Sequence, residues 1–585
     1  MSFLFLKGEI LLKKLAKYLK PYKFKIFLTL LFTFINVLST MYLPSLMSKI
    51  VNEGVIHGET SVIMKYGIYM IFVTFIGGLV MIGAAYLSSE IATNVGRQIR
   101  RDVFTKVERY TLDQVNHFGV ATLMTRTTTD INQLQDLLIM GLRMMARSPL
   151  MFIGGVIMAV QASPRLSMTL LIALPVIALF IIAVGKKGMP LFKIVQKKVD
   201  KLNRVVRENV TGIRVIRAFD KQEYEMQRFE EANRDLRDTN LKINKIMSFL
   251  FPGIFFILDA IIILVIYFAT SQIDAGLMEV GDLMAFVQYI TMILFSIIML
   301  SMIFVMVPRA QVSANRVNEV LEMDDKTKER AGTKKVPENM CSLEFDDVSF
   351  KYDNAENCTL ENLNFKVKAG ETLAIMGGTG SGKSTIANLI VRFFDVSKGS
   401  IKLCGEDIRE LDLHDLRKHI GLVPQTAVLF SGTIRDNIKK GKKDATDEEI
   451  IEALKIAQAW DFVSGLKDGL DSLVAQGGTN FSGGQKQRLS IARAIVRKPK
   501  IYIFDDSFSA LDYKTDKVLR NELNKIKGDS IFIIVAQRVS TVMDADQIIV
   551  LEDGEIDGIG VHEQLLKISN VYKETYESQI NKEGI

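Results

Sequence analysis

Between residues 377 and 385 the chain reads Gly377-Gly378-Thr379-Gly380-Ser381-Gly382-Lys383-Ser384-Thr385. Glycines at this density let backbone N–H groups wrap phosphate oxygens, Lys383 can reach the β- and γ-phosphates, and the Ser384 hydroxyl can bind Mg2+. An apolar run, Thr372–Met376, precedes the loop and a helical run follows it, which is the context that separates a phosphate cradle from a chance glycine-rich turn. Downstream, the apolar run Ile501–Phe504 ends in Asp505, placed to hold Mg2+ through a water. Together these residues predict a site for a nucleoside triphosphate and its γ-phosphoryl chemistry.

The elements that must position this site are strands and helices in alternation. Strand-like runs at Ser342–Tyr352, Leu363–Met376, Ile501–Phe504, Ile531–Val535 and Gln547–Leu551 alternate with helical stretches, predicting an α/β nucleotide-binding fold. That composition begins only after Arg309. Before it, six windows of spanning length are nearly free of charge: Ile26–Ser48, Tyr66–Ser89, Ser148–Pro164, Leu166–Gly185, Ile246–Ile273 and Leu283–Pro308, with Asp259 as the single exception. The expected layout is a helical membrane domain over residues 1–323, a charged linker over 324–341 and an α/β domain over 342–585.

Orientation follows from basic residues, which stay on the cytoplasmic side. Seven lysines precede residue 26 against one acid, Glu9, and sixteen Lys/Arg lie between Lys186 and Met247, whereas the turn Asp274–Asp282 carries only acids. Both chain ends and the α/β domain are therefore expected in the cytoplasm of a multi-pass cell-membrane protein. Leu11, Leu12, Leu15, Tyr18 and Leu19 fall opposite Lys13, Lys14, Lys17 and Lys20, predicting an interfacial helix that stops at Pro21. The two long cytoplasmic segments, Glu90–Arg147 and Lys186–Met247, have helical periodicity and few breakers, so they read as helix extensions. Three cysteines, Cys341, Cys358 and Cys404, without CxxC spacing argue for reduced thiols. A net charge of +7 over 585 residues is mild and names no partner; no nucleic-acid partner is expected. Asp259 is the ionisable residue inside a span, expected to face the bundle interior or water, and is a candidate contact for a cationic substrate or a structural hydrogen-bond partner.

With Phe481-Ser482-Gly483-Gly484-Gln485-Lys486-Gln487-Arg488 between the phosphate loop and Asp505, the sequence resembles the ATP-binding-cassette (ABC) family, and six spans fused to one cassette look like an exporter-type half-transporter. The resemblance implies ATP and Mg2+ as cofactors, Tyr352 as the adenine-stacking aromatic, and Gln425 as a Mg2+ contact linking the cassette to the membrane domain. It also implies Ser482, Gly483, Gly484 and Gln485 as a signature that completes the partner subunit's ATP site, and Ser509–Asp512 as a loop across the dimer. Coupling segments are implied near Val115–Thr125 and Val210–Tyr224.

Two positions depart from the family pattern. Asp506 stands where a glutamate acts on the attacking water, and Gln537 stands where the switch histidine is expected. A carboxylate displaced by about 1 Å can lose on the order of 100-fold in rate, and an amide cannot carry an imidazolium's charge. Gln476, before the signature, is a third departure. Both losses fall on the half-site built from this chain's own loop, while the signature is intact, which is the pattern of one subunit of a heterodimer. The expectation is an ATP-driven exporter subunit for amphiphilic small molecules in contact with membrane lipid. The alternatives are a homodimeric lipid or peptide exporter and an ATP-gated channel-type or regulatory member.

Overall fold

The computed structural model describes residues 16–324, 332–337, 342–352 and 355–583. The chain divides into two compact units, one formed by residues up to 106 together with 121–323, the other by 107–120 together with 324 onward.

Among the described residues of the first unit, six helical segments are long and apolar enough to cross a membrane: Ala16–Val55, Thr60–Val107, Val120–Ala162, Pro164–Thr211, Gln222–Asp274 and Val280–Leu300. Each overlaps one of the uncharged windows. Thr60–Val107 and Pro164–Thr211 run for 48 residues each. At 1.5 Å per residue that is about 72 Å, more than twice a hydrocarbon core of about 30 Å, so both helices continue well past the bilayer. Where helices meet, apolar side chains are buried, as with Phe286, Tyr289, Ile290 and Ile293 against Ile177 and Val265. Phe72, Leu171, Phe256 and Tyr267 are exposed, as suits a surface solvated by lipid. Two hydrogen bonds tie the end of the first span to the start of the sixth: Ser48 Oγ donates to Asp282 Oδ1 (2.6 Å) and Gly281 N donates to Asn52 Oδ1 (2.6 Å). Of the expected interfacial helix, Leu11, Leu12 and Leu15 lie outside the described residues; Ala16–Tyr22 form a short 3-10 helix with Tyr18 buried.

The second unit carries β1 (Ser342–Phe350), β2 (Leu360–Lys368), β3 (Thr372–Gly377), β4 (Lys398–Leu403), β5 (Glu406–Asp407) and β6 (Ile420–Val423). They are followed by β7 (Gly432–Thr433), β8 (Leu473–Val474), β9 (Ile501–Asp505), β10 (Ile531–Val535), β11 (Gln547–Glu552) and β12 (Glu555–Gly560). The run Leu363–Met376, expected as one strand, is two, β2 and β3, because Gly370 turns the chain at φ 80°. An antiparallel sheet has the order β2-β1-β4-β5, and a mostly parallel six-stranded sheet has the order β12-β11-β3-β10-β9-β6. Both faces of the parallel sheet are covered, one by helices and the other by the helix Lys383–Ile390 together with the antiparallel sheet, so every position along β9 and β10 is buried. The register sets Val535 beside both Ile375 and Asp505. The carboxyl ends of β3, β9 and β10 thereby open on one edge, where ligands of open α/β sheets bind.

Two pieces from outside the α/β sequence also belong to this unit. Residues 332–337, read from sequence as linker, are hydrogen-bonded in place: Lys334 N donates to Glu410 O (3.1 Å) and Val336 N to Asp415 Oδ2 (2.8 Å). The helix Leu112–Phe118, started by a capping box between Thr111 and Gln114, has Gln114 buried with its amide donating to Asp324 O (2.8 Å). Tyr110, Leu112 and Val115 line a groove of about 220 Å³ with Arg392, Phe393, Leu413 and Arg417.

Candidate functional site

The loop after β3 folds around its own lysine. Lys383 opens the helix Lys383–Ile390, and its ammonium donates to Gly377 O (2.9 Å), Gly378 O and Ser381 Oγ (3.3 Å). Burial pushes this ammonium below its ordinary pKa, and the neighbouring Asp506 and Asp505 pull it back up. A cation held by neutral carbonyls in a desolvated loop gains from any anion brought to it. Gly382 caps the helix at φ 93°, and a Cβ there would lie 2.4 Å from Leu360 Cδ2. Left-handed strain of about 1–3 kcal/mol adds to that collision. Gly382→Ala should therefore deform the loop and weaken ATP binding more than tenfold in a fluorescent-nucleotide titration; unchanged affinity would remove the nucleotide from this loop.

Ser384 Oγ donates to Asp505 Oδ1 at 2.9 Å, joining the loop after β3 to the end of β9. Burial raises the Asp505 pKa, and the Ser384 hydrogen bond works against that rise. Ser384 and Asp505 thus present hard oxygen donors side by side, the ligand type that Mg2+ takes, directly or through a water. Among the described residues no group of three His, Cys, Asp or Glu could hold a metal.

Asp506 takes a left-handed backbone conformation (φ 45°), its N–H donating to Val535 O (2.9 Å). Gln425, just beyond β6, donates from Nε2 to Asp506 Oδ2 (3.3 Å), so the strand-end loops after β6 and β9 meet. Gln537 follows β10 on the same edge and is exposed. Tyr352 is half-buried, with its hydroxyl 3.2 Å from Thr385 Oγ1 and its ring edge-on to Phe350 and Phe394. Thr379 and Gly380 are exposed at the tip of the loop. The structure thus brings Gly377–Thr385, Asp505, Asp506 and Gln425 together, with Tyr352 at the helix flank.

The signature stands apart. Ser482 caps the helix Gly483–Ile495: its Oγ accepts from Gln485 N (3.3 Å), and Gln485 Oε1 accepts from Ser482 N (2.9 Å). A helix N-terminus leaves further first-turn amides without intrahelical partners, an arrangement suited to an anion. A Cβ on Gly484 would lie 3.2 Å from Ala510 O, so this glycine lets the helix approach the Ser509–Asp512 loop. Gly483 is different, since a Cβ there would meet nothing within 4 Å of this chain. Sequence reasoning assigned no task to Gln487, which is buried and donates to Pro424 O (3.2 Å), joining the signature helix to the loop of Gln425. Gln579, also unassigned, holds the loop of Gln537 and carried no motif signal.

Asp259 is exposed on the helix Leu250–Asp274. It does not face the interior of this chain's own bundle, and the described residues form no hydrogen bond or ion pair with it.

Six membrane-spanning helices joined to an α/β nucleotide-binding unit define an ABC-type half-transporter. Residues 26–298 match the ABC transporter transmembrane region and residues 360–509 the ABC transporter ATP-binding family, and this chain belongs to the ABC transporter family, as an exporter with its membrane and ATP-binding domains fused. It is 37% identical over 574 residues to an ABC transporter ATP-binding protein of Mycobacterium tuberculosis, covering 97% of this chain and 98% of the relative. It is 34% identical over 574 residues to the YfiB ABC transporter ATP-binding protein of Bacillus subtilis, covering 98% and 99%. An ATP-dependent lipid A-core flippase of Aliivibrio fischeri is 29% identical over 568 residues, covering 97% of each chain. The chain is accordingly a multi-pass membrane protein of the transport-ATPase type, with its ATP cassette on the cytoplasmic side.

Proposed function

We propose that this chain is the degenerate-site subunit of a heterodimeric exporter of amphiphilic molecules. In its own site, Gly377–Thr385 wraps the phosphates of ATP, Lys383 pairs with the β- and γ-phosphates, and Tyr352 carries the adenine. Ser384, Asp505 and Gln425 would hold Mg2+, which neutralises charge on the β- and γ-phosphate oxygens when bound. The observation that carries the reading is Asp506. Its carboxylate, one methylene shorter than the family's glutamate, is engaged by Gln425 Nε2 at 3.3 Å, which favours holding nucleotide over aligning water. Gln537 supports the same reading, since its amide can hydrogen-bond to the γ-phosphate but cannot carry an imidazole's positive charge. Ser482, Gly483, Gly484 and Gln485 lend donors to the partner's ATP, and Gly483, which nothing in this chain requires, suits an approach from another molecule. Closure of the two cassettes turns the cavity outward through the coupling segments near Val115–Thr125 and Val210–Tyr224. The test is ATP-dependent uptake of an amphiphilic dye into inverted vesicles carrying this chain alone or with its partner half-transporter. Directional uptake only in the pair is expected; uptake by this chain alone would overturn the heterodimer.

A second reading concerns the cargo's charge. Arg143 and Arg147, one helical turn apart on the third span, line a cavity of about 330 Å³ with Thr33, Asn36, Met81, Met140, Met144 and Met299. Arg147 Nε is buried with no hydrogen-bond partner. Adaptable methionines around an exposed Arg143 and a half-buried Arg147 favour an acidic amphiphile, lipid included, over the cation that Asp259 would select. Substrate-stimulated ATPase of the complex separates the two. Arg147→Gln should blunt stimulation by acidic amphiphiles about tenfold and leave cationic ones alone; Asp259→Asn would do the reverse if the cargo is cationic.

A further inference from the structure

The loop Gln537-Arg538-Val539 leaves β10 at the nucleotide edge and enters the short helix Val539–Val542. Its two flanking backbone groups are met by one side chain from far along the sequence. Gln579 Oε1 accepts from Val539 N at 2.8 Å, and Gln579 Nε2 donates to Gln537 O at 2.9 Å. Val539 N is a first-turn helix amide without an intrahelical partner, so Gln579 acts as a cap supplied from outside the helix.

Gln579 is itself fixed. It lies on the helix Asn570–Glu583, whose Tyr572 is fully buried, with the tyrosine hydroxyl 2.7 Å from His562 Nδ1 and its backbone N–H donating to Ser569 Oγ (3.0 Å). Tyr572, Tyr576 and Gln579 recur at i, i+4 and i+7, so one helical face carries the buried anchor and the amide clamp. Tyr576 packs edge-on to His562 between them. A primary amide suits this place because it offers one acceptor and one donor side by side. A carboxylate could keep Val539 N but would repel the Gln537 carbonyl.

We propose that Gln579 is a positioning residue for the nucleotide site: by clamping the backbone on both sides of Arg538, it fixes where Gln537 meets the γ-phosphate and makes the helix Asn570–Glu583 part of the γ-phosphate sensor. This rests on the assignment of Gln537 to the γ-phosphate in the preceding reading, and the experiment keeps the two apart.

The full-length chain in nanodiscs is titrated with AMP-PNP and with ADP, which differ at the γ-position, alongside thermal unfolding of each variant. Gln579→Met keeps the volume and removes both hydrogen bonds. It should weaken AMP-PNP about threefold to tenfold, the range of one ordinary hydrogen bond, while ADP affinity stays within error and Tm falls by no more than a few degrees. Gln537→Ala should lower the same AMP-PNP to ADP ratio, and the double variant should be no worse than Gln537→Ala alone, since Gln579 acts through Gln537. Equal weakening of both nucleotides, no effect, or additive losses in the double variant would each overturn the proposal. If Gln537→Ala leaves the ratio unchanged, the γ-phosphate assignment fails and this inference fails with it. Should Gln579→Met not fold, Gln579→Glu, which retains the acceptor for Val539 N, must give the same selective loss.

Discussion

Ser482→Ala or Gly483→Asp in this chain should abolish ATP turnover by the assembled heterodimer, whereas Asp506→Ala should leave it within about twofold. In the proposed pair, this chain's signature faces the ATP held by the partner, where phosphoryl transfer needs donors already aimed at the γ-phosphate. Losing one such donor costs about 100- to 1,000-fold in enzymes that stabilise developing charge this way. Ser482 can give its hydroxyl hydrogen because its oxygen is already used as the helix cap. An aspartate at Gly483 would fit sterically, as nothing in this chain lies within 4 Å of a Cβ there, but would set a negative charge at the phosphate. The loss would then be electrostatic and not a folding defect. Asp506 has little to lose, since its carboxylate is short and tied to Gln425. Lys383→Ala should fall between the two, weakening ATP retention and cassette closure without touching the hydrolytic site. ATP hydrolysis at saturating ATP ranks the variants, and an Asp506→Ala complex as dead as the signature variants would mean that both sites hydrolyse.

The purified chain without its partner should hydrolyse ATP near background. Asp506→Glu alone should recover little, because Gln537 still supplies no positive charge. Asp506→Glu combined with Gln537→His should raise turnover on the order of 100-fold, the scale attached to a well-placed general base. The left-handed backbone at Asp506 bears on this result, since glutamate tolerates φ 45° less readily than aspartate. The double variant is therefore expected below a full two-site enzyme. Robust turnover by the unaltered chain as a homodimer would sink the asymmetric reading.

Spans and motifs were legible because each is written in contiguous residues. Six uncharged windows overlap the six spanning helices, and the loop Gly377–Thr385 lies between β3 and a helix as the apolar and helical runs indicate. What sequence hides is pairing across distance. Gln425 meets Asp506 from 81 residues away and Gln579 meets Gln537 from 42, and neither separation leaves a periodic trace. Short, one-sided strands such as β5, β7 and β8 are set by their neighbours and not by their own two residues. Gly370 was a readable turn signal inside the run Leu363–Met376, outweighed by the apolar residues around it. The π-helical segments Ile50–Val55 and Gly141–Met145 are conformations that residue propensity does not encode.

The helix Leu112–Phe118 belongs to the same compact unit as the nucleotide-binding sheet, although more than two hundred residues separate it from that sheet in sequence. Modules that can be exchanged between relatives are therefore not bounded by a single cut near residue 324. A transplanted cassette that left residues 107–120 behind would lose one wall of the groove lined by Arg392, Phe393, Leu413 and Arg417. Inheritance of a working unit requires the two stretches to travel together, so substitutions in 107–120 and in residues 392–417 should compensate one another in chimeras while each alone is harmful.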